Sequence, residues 1–154
     1  MKSIQDYYED RFAHCYGCGR LNEYGHQLKT FWDGDETVSR FTPEEKHTSL
    51  PGFIYGGLIA SLIDCHGTGS AALAYARENN IKLEEFNAPR FVTGALNVSY
   101  KKPTPMGPEL EVRGTIKEIK GRKVVIEAIV SADGDICATG EIISLLVPEN
   151  FGQK

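Results

Sequence analysis

Residues 55–77, YGGLIASLIDCHGTGSAALAYAR, form the longest helical pattern in the chain and decide its fold. At about 100° per residue, the apolar side chains of this segment lie on one broad face of a helix; they are Leu58, Ile59, Leu62, Ile63, Cys65, Ala72 and Leu73. The segment also contains four glycines, which make it a poor helix former in isolation. We therefore expect a central, buried helix that other elements wrap and approach closely.

Segments in which apolar and polar residues alternate lie before and after this helix in the sequence, and they predict β-strands. Residues 28–32 and 37–41 flank the turn Asp33-Gly34-Asp35 and predict a hairpin. Four more strand patterns follow the helix, over residues 96–100, 110–117, 124–130 and 136–147. Two strands, a long helix and four strands predict an α+β fold in which one antiparallel sheet wraps the helix.

A length of 154 residues fits one domain, and 41% hydrophobic and 25% charged residues are ordinary values for a globular protein, so we expect one globular domain over residues 1–154. Residues 1–26 lack a clean period and are expected to form an amino-terminal extension, with a short helix at about residues 3–12. The net charge of −4 argues against nucleic-acid and membrane partners. No secretion signal or spanning run is visible, so we expect a cytoplasmic protein with reduced cysteines.

Asp64 is the most informative candidate for chemistry. A carboxylate in the middle of an apolar helix has a desolvation cost that a purely structural position usually avoids. Ser61 and Thr68 lie on the same face of the predicted helix. His66 points toward the apolar face and is expected to be a packed or interface residue rather than a base. A structural role, in which Asp64 accepts a hydrogen bond from a neighbouring loop or from a dimer partner, is the alternative to a catalytic role.

Tyr55, Gly56 and Gly57 stand where the helix begins. Glycines there allow a substrate to approach backbone N–H groups that have no acceptor within the helix. Such a helix start can stabilise an oxyanion. A tight entry turn without any catalytic role would use the same residues.

Cys15 and Cys18 have the spacing of half a zinc site. A structural zinc site has four ligands, and no second Cys-x-x-Cys follows; His14, His26 and His47 are the residues that could complete the site. A turn built from small residues is the favoured interpretation. Cys65 and Cys137 are expected to be apolar core positions.

Residues 44–64, EEKHTSLPGFIYGGLIASLID, resemble the signature of hotdog-fold acyl-CoA thioesterases of the phenylacetate-degradation type. Residues 97–103, NVSYKKP, are similar to the strand and turn that follow the helix in that family. Residues 15–25, CYGCGRLNEYG, are similar to an amino-terminal segment of a subset of its members. The resemblance spans about residues 14–147, and Tyr55 stands where the family has a histidine.

The resemblance implies a hotdog fold, in which a curved antiparallel sheet wraps a long helix, assembled as a dimer or a dimer of dimers with active sites at the dimer interface. It implies that Asp64 is the general base or nucleophile and that backbone N–H groups at Gly56 and Gly57 hold the thioester oxygen. Ser49 takes the position of a residue that orients water. The remaining expected substrate contacts are His47, Tyr55, Ser61, Thr68 and Thr93.

The resemblance therefore predicts hydrolysis of acyl-CoA thioesters to a free acid and CoA. A thiolate leaves readily, so one carboxylate and an oxyanion site suffice, and neither a metal nor a cofactor is expected. Two alternatives keep the fold. One is a protein that binds acyl-CoA without turnover, and the other is an enoyl-CoA hydratase or dehydratase, which would need His47 or His66 to reach the substrate.

Overall fold

In the computed structural model, which describes residues 1–152, one antiparallel sheet of six strands packs against one long helix, and the predicted α+β fold is confirmed. Along the chain the elements are β1 (Phe31–Asp33), β2 (Glu36–Phe41), α1 (Gly56–Glu78), β3 (Phe91–Tyr100), β4 (Leu110–Lys120), β5 (Lys123–Ala132) and β6 (Asp135–Leu146). The strand order across the sheet is β1-β2-β4-β5-β6-β3. Strands β1 and β3 are therefore the two edges.

Two strand boundaries differ from the sequence prediction, and each has a physical cause. Strand β3 begins at Phe91 rather than at about residue 96, because a register shift between Thr93 and Ala95 interrupts the alternation of side chains. Strand β1 has only three residues. The predicted residues before it pair with the amino-terminal segment instead, where the Leu28 N–H donates to the Gly17 carbonyl at 3.0 Å.

Helix α1 is enclosed on nearly every side, as its glycine-rich sequence predicts. Every residue from Cys65 to Ala74 is buried. One flank of the helix touches the sheet, since a Cβ added at Gly67 would lie 2.6 Å from the Ile142 side chain. Another flank touches the amino-terminal segment, since a Cβ at Gly69 would lie 2.7 Å from the Gln5 side-chain amide. The glycines that weaken the isolated helix permit these close approaches.

The predicted helix over residues 3–12 is wrong: the structure has two 3-10 turns there, Ile4–Tyr7 and Asp10–Phe12. Tyr8 lies between them with an extended backbone, and its side chain is buried in the core. A continuous helix would not leave this residue extended. None of the helices in the described part of the chain has the length and apolarity that crossing a bilayer requires.

His66 is fully buried between α1 and β2, and both ring nitrogens are hydrogen-bonded. Its Nδ1 lies 2.7 Å from the Ser39 hydroxyl, and its Nε2 lies 3.0 Å from the Thr37 hydroxyl. Burial lowers the pKa of His66 to about 3, so the ring is neutral at physiological pH. The side chain is a packed residue of the core, as the sequence predicts.

We expect the free energy of unfolding to fall as the pH drops from about 6.5 toward about 3, partly because of His66. The unfolded ring binds its proton near pH 6.5, whereas the folded ring does not until about pH 3. Within that window the His66 contribution is on the order of 1.4 kcal/mol per pH unit. Urea unfolding of wild type and His66→Gln over a pH series measures it.

The matched control is His14→Gln, which changes an exposed histidine and should keep the wild-type slope of stability against pH. Carboxylates contribute equally to all three proteins, so the difference between the slopes isolates His66. An unchanged slope in His66→Gln would contradict the expectation.

Candidate active site at the start of helix α1

Asp64 projects from α1 toward β3, where it meets the hydroxyl of Thr93. The Thr93 hydroxyl donates a short hydrogen bond to the Oδ1 atom of Asp64. Thr93 stands at the register shift of β3, a feature that re-aims side chains in a strand. Asp64 is half-buried. The pair therefore presents an oriented carboxylate beside an edge strand.

The start of α1 carries two backbone N–H groups without protein acceptors. The Tyr55 carbonyl accepts from Leu58 N at 3.1 Å and from Ile59 N at 3.4 Å. Within residues 1–152, no hydrogen bond engages the N–H of Gly56 or Gly57. Because the helix dipole adds positive potential at this end, the two donors suit an oxygen that gains negative charge.

Two tyrosine rings flank these donors. A Cβ added at Gly57 would lie 2.4 Å from the Tyr55 ring, and one added at Gly56 would lie 3.4 Å from the Tyr100 ring. The Tyr100 hydroxyl also donates to the Gly56 carbonyl at 2.7 Å. Both tyrosines are more than half exposed. The absence of a side chain at Gly57 is therefore what lets the Tyr55 ring pack there, whereas a Cβ at Gly56 would meet the Tyr100 ring at an ordinary van der Waals distance.

His47 and Ser49 hold the loop that leads into α1. The Nδ1 atom of His47 accepts from the Glu44 N–H at 2.8 Å, and its carbonyl accepts from the Tyr55 N–H at 2.8 Å. Burial, and then the charge of Lys46, lower the pKa of His47. Ser49 is exposed, and its hydroxyl donates to the Ile54 carbonyl at 3.3 Å. Both side chains thus bond to the backbone of their own loop.

Ser61 and Thr68 bond to the backbone of α1 rather than to Asp64. The Ser61 hydroxyl donates to the Leu58 carbonyl at 2.7 Å, and the Thr68 hydroxyl donates to the Cys65 carbonyl at 3.2 Å. Ser61 is half-buried, whereas Thr68 is buried. Of the hydroxyl residues singled out from the sequence, the structure brings Thr93 to the Asp64 carboxylate.

Tyr100 is the residue of this site that sequence reasoning missed. It is the last residue of β3, and in the sequence it is one more apolar position in an alternating strand. Its distance along the chain from Gly56 is 44 residues, so no local pattern connects them. Only the pairing of elements in the sheet reveals the contact.

Comparison of the sequence with known proteins identifies a matching family model and a curated relative. Residues 51–139 match the family model described as the Thioesterase superfamily. The acyl-coenzyme A thioesterase THEM4 of Mus musculus is 30% identical over 96 residues, which are 62% of this chain and 36% of that protein. The chain thus spans about a third of the length of this curated relative.

Solved structures extend the comparison to nearly the whole chain. A thioesterase superfamily protein from Shewanella loihica PV-4 is 48% identical, with a TM-score of 0.70 over 92% of this chain and 100% of that one. A Streptococcus mutans UA159 protein, solved bound to acetyl-CoA, is 16% identical with a TM-score of 0.60 over 83% of this chain and 96% of that one. The expected hotdog fold is confirmed by the Shewanella structure.

Removing the Tyr100 hydroxyl should loosen the start of α1. We expect Tyr100→Phe to lower the free energy of unfolding by about 0.5–1.5 kcal/mol, because the hydrogen bond to the Gly56 carbonyl is lost while the ring contact remains. Chemical denaturation measures the difference. Tyr24→Phe, at a tyrosine that is 81% exposed, is the matched control and should be near neutral. Equal stabilities for the two variants would show that the bond contributes nothing.

Proposed function

The chain belongs to the thioesterase superfamily, and we propose that it hydrolyses acyl-CoA thioesters to a free acid and CoA. The observation that carries this proposal is the Asp64 carboxylate, oriented by Thr93, on a helix whose first two N–H groups have no acceptor within residues 1–152. A thiolate is a good leaving group, so the reaction needs little help from a general acid. Water is the co-reactant, and no cofactor is required.

Asp64 acts in one of two ways that share the same geometry. As a base it takes a proton from water while the water oxygen bonds to the thioester carbon; as a nucleophile its own oxygen attacks that carbon, and water releases the acid afterwards. In the first route the C–S bond breaks and Asp64 passes the proton to the departing thiolate. In the second route the C–S bond breaks as an anhydride forms with Asp64, and the thiolate takes its proton from the water that later cleaves the anhydride. Gly56 and Gly57 donate to the carbonyl oxygen as it becomes negative.

The separation of these groups along α1 supports a site shared between two copies of the chain. Asp64 lies seven residues beyond Gly57, which is about 10 Å along a helix axis. A catalytic base and an oxyanion donor must both lie about 3 Å from atoms of the same reacting centre. One chain alone does not bring the two groups that close. We propose that a second copy supplies the missing half.

Strand β3 is the edge along which the second copy would pair. It carries Thr93 and Tyr100, and within residues 1–152 its backbone pairs with β6 alone. Ten residues of unpaired edge with exposed Val92 and Leu96 are an aggregation hazard unless something covers them. Pairing of two β3 strands would continue the sheet across a dimer and bring each Asp64 toward the partner's helix start. Dimers could associate further into tetramers.

The chemistry of the relatives supports acyl-CoA as the substrate class. The mouse relative is named an acyl-coenzyme A thioesterase, and the Streptococcus mutans protein was solved bound to acetyl-CoA. The site contacts expected from the sequence, His47, Ser49, Tyr55, Ser61 and Thr68, belong to this proposal.

Binding of acyl-CoA without turnover is the second candidate, and one observation favours it. The Tyr55 ring lies against Gly57, beside the proposed oxyanion donors. Tyr55 stands where the resembling family has a histidine, so the approach of a thioester to the N–H groups differs here. A ring in this place would permit binding and still hinder attack on the carbonyl.

Asp64→Asn should reduce kcat by at least about 100-fold, because the amide neither takes a proton nor attacks the thioester. Thiol release from short, medium, long and aromatic acyl-CoAs measures the effect and ranks the substrates. Asp35→Asn is the matched control, since Asp35 is exposed in the β1–β2 turn and pairs with Arg77 near the other end of α1. Tight binding of acyl-CoA with no thiol release from wild type would favour the second candidate.

Mixing two inactive variants tests the shared site. Gly56→Pro should lower kcat by about 100-fold or more, because proline removes one N–H yet fits the first helical position. Co-expression of Gly56→Pro with Asp64→Asn should recover about a quarter of wild-type activity. About half of the random dimers are mixed, and each mixed dimer has one intact site out of two. Mixed dimers that recover no activity would show that both groups come from one chain.

A further inference from the structure

Three of the four cysteines converge outside the proposed active site. Cys15 and Cys18 belong to the amino-terminal segment, and Cys65 belongs to α1. The Sγ atoms of Cys15 and Cys65 are 3.8 Å apart, and the three Sγ atoms all lie within 4.8 Å of one another. Cys18 and Cys65 are buried, whereas Cys15 is half-buried. This three-thiol cluster is invisible in the sequence, where Cys65 is 50 residues from Cys15.

The turn between Cys15 and Cys18 is shaped to reach the helix. Its middle residue, Gly17, lies so close that an added Cβ would be 2.2 Å from the Cys65 Sγ atom. The Gly19 N–H closes the turn by donating to the Cys15 carbonyl at 2.7 Å. Any side chain at Gly17 would push the turn away from α1. The glycine therefore keeps the two cysteines of the turn against the third.

A half-buried cation lies near the cluster without a carboxylate partner. Arg90 stacks on the Tyr8 ring at 4.8 Å and donates to the Phe91 carbonyl, and it forms no ion pair with an acidic side chain of residues 1–152. Burial opposes its charge, yet Tyr8 and the three cysteines raise the pKa of Arg90. A cation that is partly removed from water needs a compensating negative charge. Thiolates formed in the cluster when a metal ion binds would supply it.

The thiolate is the form of cysteine that binds metals. Binding of a metal ion to the cluster therefore releases the thiol protons.

We propose that Cys15, Cys18 and Cys65 bind one zinc ion. Zinc–sulfur bonds of about 2.3 Å in tetrahedral geometry place sulfurs about 3.8 Å apart, which is the spacing of Cys15 and Cys65. Small shifts of Cys18 would complete the three-sulfur arrangement. Three thiolates and a divalent ion carry one net negative charge, which the nearby Arg90 balances, whereas a monovalent ion would leave two. A water on the half-exposed side of Cys15 fills the fourth position.

The zinc ion would fasten the amino-terminal segment to the catalytic helix. Cys65 directly follows Asp64, so the ion would hold the turn of α1 that carries the proposed catalytic carboxylate. The closed loop of 50 residues would also favour the folded state, because metal binding to a folded site is coupled to folding. The ion would serve to hold these two parts of the fold together, and its binding does not depend on the proposed hydrolysis.

Zinc titration of the reduced, metal-free protein against a chromophoric chelator tests the proposal. We expect one ion per chain and a loss of at least about 100-fold in affinity in Cys15→Ser, Cys18→Ser and Cys65→Ser. Cys137→Ser is the matched control, because Cys137 is buried in β6 and its thiol contacts the Asp135 carbonyl instead. This control should bind zinc like wild type.

Cys18→Ser or Cys65→Ser could fail to fold, because both cysteines are buried. Cys15 is half-buried, so Cys15→Ser is expected to fold and to give a result in every case. Zinc should raise the Tm of wild type and of Cys137→Ser but not that of Cys15→Ser. Cobalt bound in place of zinc should show sulfur-to-metal charge-transfer absorption that Cys15→Ser weakens. Absence of zinc binding to folded wild type, equal affinity in Cys15→Ser, or oxidation of the cluster to a disulfide that zinc does not prevent would overturn the proposal.

Discussion

Enclosure of α1 is the constraint on which the rest of the structure depends. A helix of 23 residues with four glycines does not hold together alone, so it is stabilised by the sheet on one side and by the amino-terminal segment on another. Close approach needs small residues at the contacts, and Gly67 against Ile142 and Gly69 against Gln5 provide them. The same glycines therefore weaken the helix locally and secure it in the fold.

The burial of polar side chains on α1 differs along the length of the helix. In the enclosed middle, His66 is neutral and has hydroxyl partners from β2 on both nitrogens, as a buried polar group requires. Near the first turns the enclosure is incomplete, and there Asp64 stays half-buried beside an edge strand. The chemistry proposed for this chain is located where the wrapping of the helix is incomplete, because a substrate can reach the helix there.

The proposed active site and the proposed zinc site lie on the same helix but require opposite degrees of solvent access. Hydrolysis requires an accessible carboxylate and open N–H donors, and in our account a second copy completes that site along β3. The three-thiol cluster requires exclusion of water and a fixed turn, which the amino-terminal segment supplies through Gly17. Asp64 and Cys65 are neighbours in the chain, so fastening one side of the helix also steadies the carboxylate on the other.

The sequence by itself determined the order of elements, the long helix, the hairpin and Asp64 as the prominent polar residue, because these depend on periodicity and local turn residues. It did not determine the register shift at Thr93, the contact of Tyr100 with Gly56, or the meeting of Cys65 with Cys15 and Cys18. Ser61 and Thr68 share a helical face with Asp64, yet their hydroxyls bond to α1 itself. Contacts between residues 29 to 50 positions apart are set by how the sheet and the amino-terminal segment close around the helix, and only the tertiary structure decides that.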